Sequence, residues 1–315
     1  VNQVKITLNK IKKYRFVLAV IGALLLPQIV TNTYYVTMFC LALIYIIIAF
    51  GLNFITGMTG QMNLGTAGIY CLGAYTSALL TTKTGISPWL AMIAVIAMGF
   101  LIGIGLGYPS FRLEGVYLSL TTIAFGEVVR QLANNMTNFT GGAQGVRNIP
   151  PYTIFGYAIT SKVQNYYFIL AFVILFAIIT YRIMHSKWGR AFIAIKDNID
   201  AVETCGINTA KIKIVAFTLA SVFGCVAGGL YAHYSTYINA STFTLNLSVS
   251  FVVMIMVGGM GNMWGCILGA VIVSMLPEFL RFFGEYYQIT YSTIILLCAI
   301  FMPGGIINTI NKKRK

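Results

Sequence analysis

Charge is what this 315-residue chain has least of: 9% of its residues are charged, and only seven are acidic. A water-soluble domain carries about a quarter, so that class is excluded. Histidine is nearly absent, with only His185 and His233, and this removes the commonest metal ligand and proton carrier. No GxxxxGK[ST], GxSxG or HExxH pattern occurs, which excludes a P-loop, a hydrolase nucleophile elbow and a zinc protease helix. The six cysteines, Cys40, Cys71, Cys205, Cys225, Cys266 and Cys298, show no CxxC spacing and sit mostly in apolar runs. They read as small core residues, not ligands. The chain is therefore expected to bind no metal or cofactor itself and to carry no enzyme chemistry.

What is abundant is apolar sequence, with 58% hydrophobic residues and a mean hydropathy of +0.83. The fold class that follows is an all-α polytopic membrane protein. Lys5, Lys10, Lys12, Lys13 and Arg15 precede an apolar run over 16–30 with no small-x-small cleavage site after it, so an uncleaved first span is expected. Further runs cover 34–55, 63–82, 88–108, 116–134, 166–184, 214–233, 246–260, 264–282 and 288–303. Together they predict about ten transmembrane helices, several near the lower length limit for crossing a bilayer.

The formal charge of +14 would suit a nucleic-acid binder, but its positions argue otherwise. The positives gather before Phe16, in the stretch from Arg182 to Lys213, and in the terminal KKRK, where they act as topology signals facing anionic lipid. With the N-terminus inside, six crossings bring Arg182 to the cytoplasm and four more return the tail there. Only Lys83, Arg147, Lys162 and Arg281 then lie outside. Both termini are expected to be cytoplasmic: a basic segment over 1–15, a transmembrane domain over 16–307 and a basic tail over 308–315. The longest external connection, about 135–165, is rich in Asn, Gly, Thr and Pro and reads as turn-forming. It is a candidate cap on the outer mouth.

Glycine recurs every fourth residue at Gly99, Gly103 and Gly107, and again at Gly261, Gly265 and Gly269; Ala220, Gly224 and Gly228 form a third such set. Such smooth stripes let helix backbones approach in lipid. Two other stretches share a Gly-x-x-Gly-x-Met pattern, at Gly57, Gly60 and Met62 and at Gly258, Gly261 and Met263. Paired breaks of this kind point to internal repetition and a translocation path. Gln61 and Asn63 either offer amides to that path or form a polar cytoplasmic turn.

Glu127 and Arg130, three residues apart within an apolar run, share a helix face and can pair. Ionisable groups at membrane depth are functional candidates, so this pair is either a gate or partner contact, or a structural tie. Glu278 and Arg281 repeat the spacing near another outer end.

Six blocks, GLNFITGMTGQMNLGTAGIYCLGAYTSALL, RLEGVYLSLTTIAFGEVVR, NFTGGAQGV, SKWGRAFIAIKDNIDAVETCGIN, AGGLYAHY and VGGMGNMWGCILGA, occur in this order. They resemble the permease subunits of branched-chain amino-acid ABC importers, of the LivM type, from about Gly51 to Ile307. The resemblance implies a second, LivH-type permease, two ATPase subunits that use ATP and Mg, and an external solute-binding protein. It also implies that a cytoplasmic loop over about 185–213 couples to the ATPases. The family's EAA-x-x-x-G pattern matches Asp200, Ala201, Val202 and Gly206, with Asp for Glu and Val for the second Ala, and Arg190 lies in the same loop. A short helix with small residues can seat closely in a partner, and Gly206 can end it in the left-handed conformation.

The resulting expectation is half of a translocation path, with Gly57, Gly60, Gln61, Asn63, Gly258, Gly259 and Gly261 along it and Gly141, Gly142 and Gly145 at its external mouth. A permease for urea or short-chain amides has the same look. An ion-coupled carrier or channel is a second alternative, but it would need acids near mid-bilayer, and almost none occur.

Overall fold

The computed structural model describes residues 22–28, 32–110, 112–154, 156–302 and 304–312. The basic N-terminal segment, most of the expected first span over 16–30 and the last three residues of the tail lie outside them. Residues 22–28 are helical (α1). They are followed by α2 (Thr33–Leu52), which runs into a π-helical turn at Asn53–Met58, then α3 (Thr66–Lys83), α4 (Pro88–Ser110), α5 (Val116–Asn135) and the short α6 (Thr137–Thr140). A two-residue antiparallel hairpin, β1 (Thr153–Ile154) and β2 (Tyr157–Ala158), precedes α7 (Lys162–Met184), α8 (Lys187–Asp197), α9 (Ile199–Thr204) and α10 (Thr209–Ser235). The chain ends with α11 (Leu245–Gly258), α12 (Met263–Leu280), α13 (Tyr287–Phe301) and α14 (Gly305–Lys312).

Each expected apolar run from 34 onward contains one helix, with ends moved by a few residues. Asparagine sets several of the starts: Asn32, Asn198, Asn208 and Asn262 each accept a backbone N–H from the first turn of the helix that follows, the favoured N-cap chemistry. Five described segments are long and apolar enough to cross a membrane: Thr33–Met58, Pro88–Ser110, Lys162–Met184, Thr209–Ser235 and Met263–Leu280. Helices α3 and α5 are long enough but less apolar. Helix α11 has 14 residues, about 21 Å, short of a hydrocarbon core about 30 Å thick.

The long helix α10 lies at the centre, against α2, α3 and α4. The glycine stripe of α4 allows this. A Cβ on Gly99 would stand 2.7 Å from the Val222 Cα, and one on Gly107 2.9 Å from the Ile214 Cα; Gly103 fits still more tightly against Thr218. On the other side, Gly73 lies against Cys225 and Gly228 against Tyr70. The stripe expected at Gly261, Gly265 and Gly269 is corrected. Helix α12 begins only at Met263, and Gly261 sits in the turn before it with φ +75°. Gly265 and Gly269 alone face α11, against the Gly258, Gly259 and Met254 backbone.

Hydrogen bonds sort the loops into two ends. One gathers Tyr34 with Glu278, Lys162 with Thr37, Lys83 with the Asn138 carbonyl and Val146 with Ile238. The other gathers Lys196 with Gly57, Asn53 with Gly261 and Lys213 with Glu114. The long helices of the chain alternate in direction between these ends. Arg182, Lys187, Arg190, Lys196 and Lys211 all lie at the second, basic end.

Candidate functional site

At the basic end α8 and α9 form a compact corner. Ser186 accepts the Trp188 N–H at 3.1 Å to start α8, which turns Phe192 and Ile195 into the protein and leaves Arg190 exposed. The Asn198 N–H donates back to the Ala194 carbonyl (3.0 Å), while its side-chain oxygen accepts the Ala201 N–H (3.0 Å). One residue therefore fixes the angle between the two helices. Helix α9 ends as its glycine predicts: Gly206 has φ +76°, its N–H reaches the Glu203 carbonyl (2.9 Å), and the Ile207 N–H reaches that of Val202 (3.3 Å). This is a Schellman ending. Asp200 and Ala201 are exposed, whereas Val202 is buried. Val202 thus anchors α9 to the body, and the outward face also carries exposed Trp188, Ile193 and Ile207.

Above this corner the two glycine breaks meet, although they are far apart in sequence. The Asn53 side-chain oxygen accepts the Gly261 N–H at 2.8 Å. The amide occupies the space that a Cβ on Gly57 would need, since such a Cβ would also stand 2.8 Å from the Gly261 nitrogen. Gly60 and Gly261 have nearly the same left-handed φ, +74° and +75°, conformations that glycine adopts without steric cost. The repeated Gly-x-x-Gly-x-Met pattern therefore shares a left-handed central glycine, while the first copy is π-helical through Met58 and the second leaves its helix at Gly259 with φ +124°; Gly258 and Gly259 pack against Gly265. Lys196 from α8 reaches into the first: its Nζ donates to the Gly57 carbonyl at 2.9 Å, and its stem covers Gly60. In the sequence Lys196 is one of several cations between Arg182 and Lys213. Its only local signal is its place on the same face of α8 as Phe192 and Ile195, at helical spacing.

After Gly60 the chain does not start a helix at 63 as expected. Residues 60–65 run without helical structure, and α3 begins at Thr66. The backbone donors there are taken by side chains, one nearby and two on other helices. Asn63 Oδ1 accepts the Gly65 N–H (2.8 Å), Thr122 Oγ1 accepts that of Leu64 (3.1 Å) and Ser248 Oγ that of Ala67 (2.9 Å). Asn63 is thus buried and its oxygen engaged. Four neighbouring polar atoms, Asn53 Nδ2, Thr56 Oγ1, Gln61 Oε1 and Asn63 Nδ2, are buried with no partner among the described residues.

Glu127 and Arg130 do pair: Arg130 Nε donates to Glu127 Oε2 at 3.0 Å, and Gln131 donates to Glu127 Oε1 at 3.0 Å. Glu127 also borders a cavity of about 160 Å³ between α3, α5 and α11, lined by Leu64, Ala67, Ile123 and Phe243 among others. The pair therefore lies beside the non-helical entry to α3, a proximity the sequence does not display. Glu278 and Arg281 are joined at 3.7 Å, and Tyr34 donates to Glu278 at 2.5 Å.

At the opposite end Gly141, Gly142 and Gly145 all have positive φ and form a closed turn against Ile238 and Asn239. The 135–165 segment lies over the helix ends through Tyr152, whose ring contacts Trp89, Phe168 and His233 at 5.5, 4.9 and 4.5 Å. Burial pushes the Tyr152 hydroxyl pKa well up. His233 is satisfied within the protein: Nδ1 donates to the Pro150 carbonyl (2.6 Å) and Nε2 accepts from the Ser77 hydroxyl (2.7 Å). His185 lies at the other end, and no group of His, Cys, Asp and Glu suited to a metal occurs among the described residues.

A family model described as branched-chain amino acid transport system / permease component matches residues 34–302. The chain is 31% identical over 290 residues to the high-affinity branched-chain amino acid transport system permease protein LivM of Escherichia coli K12, covering 85% of this chain and 68% of the relative. Identity to the LivM protein of Salmonella typhimurium is 32% over 294 residues, with the same shares covered. The LivH permease of Escherichia coli K12 is 23% identical over 282 residues, 84% of this chain and 91% of LivH. No solved structure matches. An all-α chain with several membrane-length helices, two glycine turns stacked at its basic end and this span of similarity belongs to the permease-component family of branched-chain amino acid transport systems.

Proposed function

We propose that this chain is one of two permease subunits of an ATP-driven importer for leucine, isoleucine and valine. The observation that carries the reading is its similarity to LivM over 85% of its length at 31–32% identity. A LivH-type permease would supply the other half of the path. Two ATPase subunits would supply the energy with ATP and Mg, and an external binding protein would deliver the amino acid.

The geometry supports a division of labour within the chain. The permease domain over 16–307 crosses the membrane about ten times, counting the short helices, with both termini and the basic end cytoplasmic. The α8–α9 corner is the surface the ATPase would grip: Asp200 and Ala201 face outward, Arg190 adds charge, Gly206 closes the short helix, and Val202 roots it. Exposed Trp188, Ile193 and Ile207 give that surface the apolar area that partner interfaces use. The turns at Gly57, Gly60, Gly258, Gly259 and Gly261, with Gln61 and Asn63, form the inner end of the path. The Glu127–Arg130 pair stands beside it, and Gly141, Gly142 and Gly145 hold the outer cover in place. ATP binding and hydrolysis shift the permease pair between inward- and outward-open states through the differential contacts of the ATPase with each.

Proteoliposomes holding both permeases, the ATPases and the binding protein should take up radiolabelled leucine only when ATP reaches the ATPase side. Uptake should persist when the proton gradient is collapsed at constant ATP. Uptake by this chain alone, or its loss with the gradient, would establish an ion-coupled carrier instead. Uptake of urea in preference to leucine would reassign the cargo.

A further inference from the structure

We propose that Lys196 is the positioning residue that ties the α8–α9 corner to both glycine turns, so that a displacement of the corner is delivered to the inner end of the path. The inference rests on the importer reading above and adds to it the route of transmission.

The contacts form an unbroken series. Ala201 on the exposed helix is hydrogen-bonded to Asn198, and Asn198 to Ala194, so α9 and the last turn of α8 move as one body. Lys196, in that last turn, donates to the Gly57 carbonyl at 2.9 Å. Gly57 packs on the Asn53 amide, and Asn53 accepts the Gly261 N–H at 2.8 Å. The second turn is thus reached from the first through one side chain.

The chemistry favours the ammonium at that spot. Carbonyls in the last turn of a helix lack an intrahelical partner and carry the negative end of its dipole, which a cation stabilises. The turn it holds is suited to rearrangement. It is π-helical, a form frequent at functional sites, and Asn53, Thr56, Gln61 and Asn63 around it each have a buried polar atom without a partner among the described residues. Such atoms are costly in one fixed state and would find partners if the turn shifted. Packing of Phe192 near Phe54, with ring centroids 6.2 Å apart, holds α8 in place but gives no directional link to the Gly57 carbonyl.

The test uses the complete transporter in proteoliposomes, and the readout is leucine moved per ATP hydrolysed. Lys196→Met keeps the stem that covers Gly60 and removes the ammonium. It should assemble, hydrolyse ATP at close to the wild-type rate and move about ten-fold less leucine per ATP, the scale of a lost charged hydrogen bond. Lys196→Arg should recover most of the ratio. Asn53→Ala should lower the same ratio, and combining it with Lys196→Met should lower it no further, since both cut one series of contacts.

A second readout needs no cargo. Met62 is exposed at the lip of the first turn, and maleimide labelling of Met62→Cys, followed by mass spectrometry of its peptide, should change when a non-hydrolysable ATP analogue binds. The change should vanish with Lys196→Met. If it does so while even the unmutated transporter moves no leucine, the cargo is wrong and the tether stands. An unchanged ratio with unchanged labelling in Lys196→Met would overturn the tether. Failure of Lys196→Met to assemble would overturn it too, by making Lys196 a docking residue only.

Discussion

Gly57 has no room for a methyl group. A Cβ there would press on the Asn53 amide and stand 2.8 Å from the Gly261 nitrogen. Gly57→Ala should therefore destabilise the protein by about 1–3 kcal/mol, the usual cost of overpacking, read as a lowered midpoint of thermal unfolding in detergent. Gly206 is a different case, because no described residue lies within 4 Å of its would-be Cβ although its φ is +76°. Gly206→Ala should cost only the left-handed strain, about 1–2 kcal/mol. Gly206→Trp should leave the body folded but stop copurification of the ATPase subunits. The role of Gly206 as a helix stop was legible because the chemistry is local: a glycine follows a six-residue helix. The constraint on Gly57 was not legible, since the atoms that crowd it come partly from a turn near the other end of the chain.

Between elements, the α4–α10 contact is held by glycine on one face only. Gly103→Leu would drive a side chain into the Thr218 backbone, whereas Gly105, with no described residue within 4 Å of a Cβ, faces away. The expected outcome is loss of a cooperative thermal transition and of protease resistance for Gly103→Leu, and near-normal behaviour for Gly105→Leu. This stripe was readable from its four-residue period, and the matching stripe at Gly261 was not. Helix and turn both tolerate glycine at that spacing, and only the positive φ of Gly261 separates them. Helix α8 illustrates the converse. The basic stretch from Arg182 to Lys213 reads as a charged island, yet Phe192 and Ile195 are buried and fasten it to the π turn. The start of α3 moved inward from 63 to 66 because Thr122 and Ser248, on two other helices, take the backbone donors of Leu64 and Ala67.

For the molecule as a whole, the sorting of contacts into two ends makes topology testable. Cys205 is exposed at the basic end, and Tyr157 is 83% exposed at the other. In intact cells an impermeant maleimide should label Tyr157→Cys and spare Cys205; in inside-out vesicles the pattern should reverse. Labelling of Cys205 from outside would invert the chain and remove the proposed ATPase surface from the side where ATP is found. Composition and hydropathy were enough to establish the membrane class, the approximate position of each apolar helix from α2 to α13 apart from the short α6, α8 and α9, and the basic side, because those properties depend on short windows of residues and on the energy of moving them into lipid. The ordered sequence blocks were enough for the family. What only the tertiary structure decided is which distant residues touch: Gly57 with Gly261 through Asn53, Lys196 with the Gly57 carbonyl, Glu127 beside the entry to α3, and Val202 inward while Ala201 points out. Those outcomes depend on close backbone approach between helices that no local window contains, and it is there that the basic corner of α8 and α9 meets the two glycine turns.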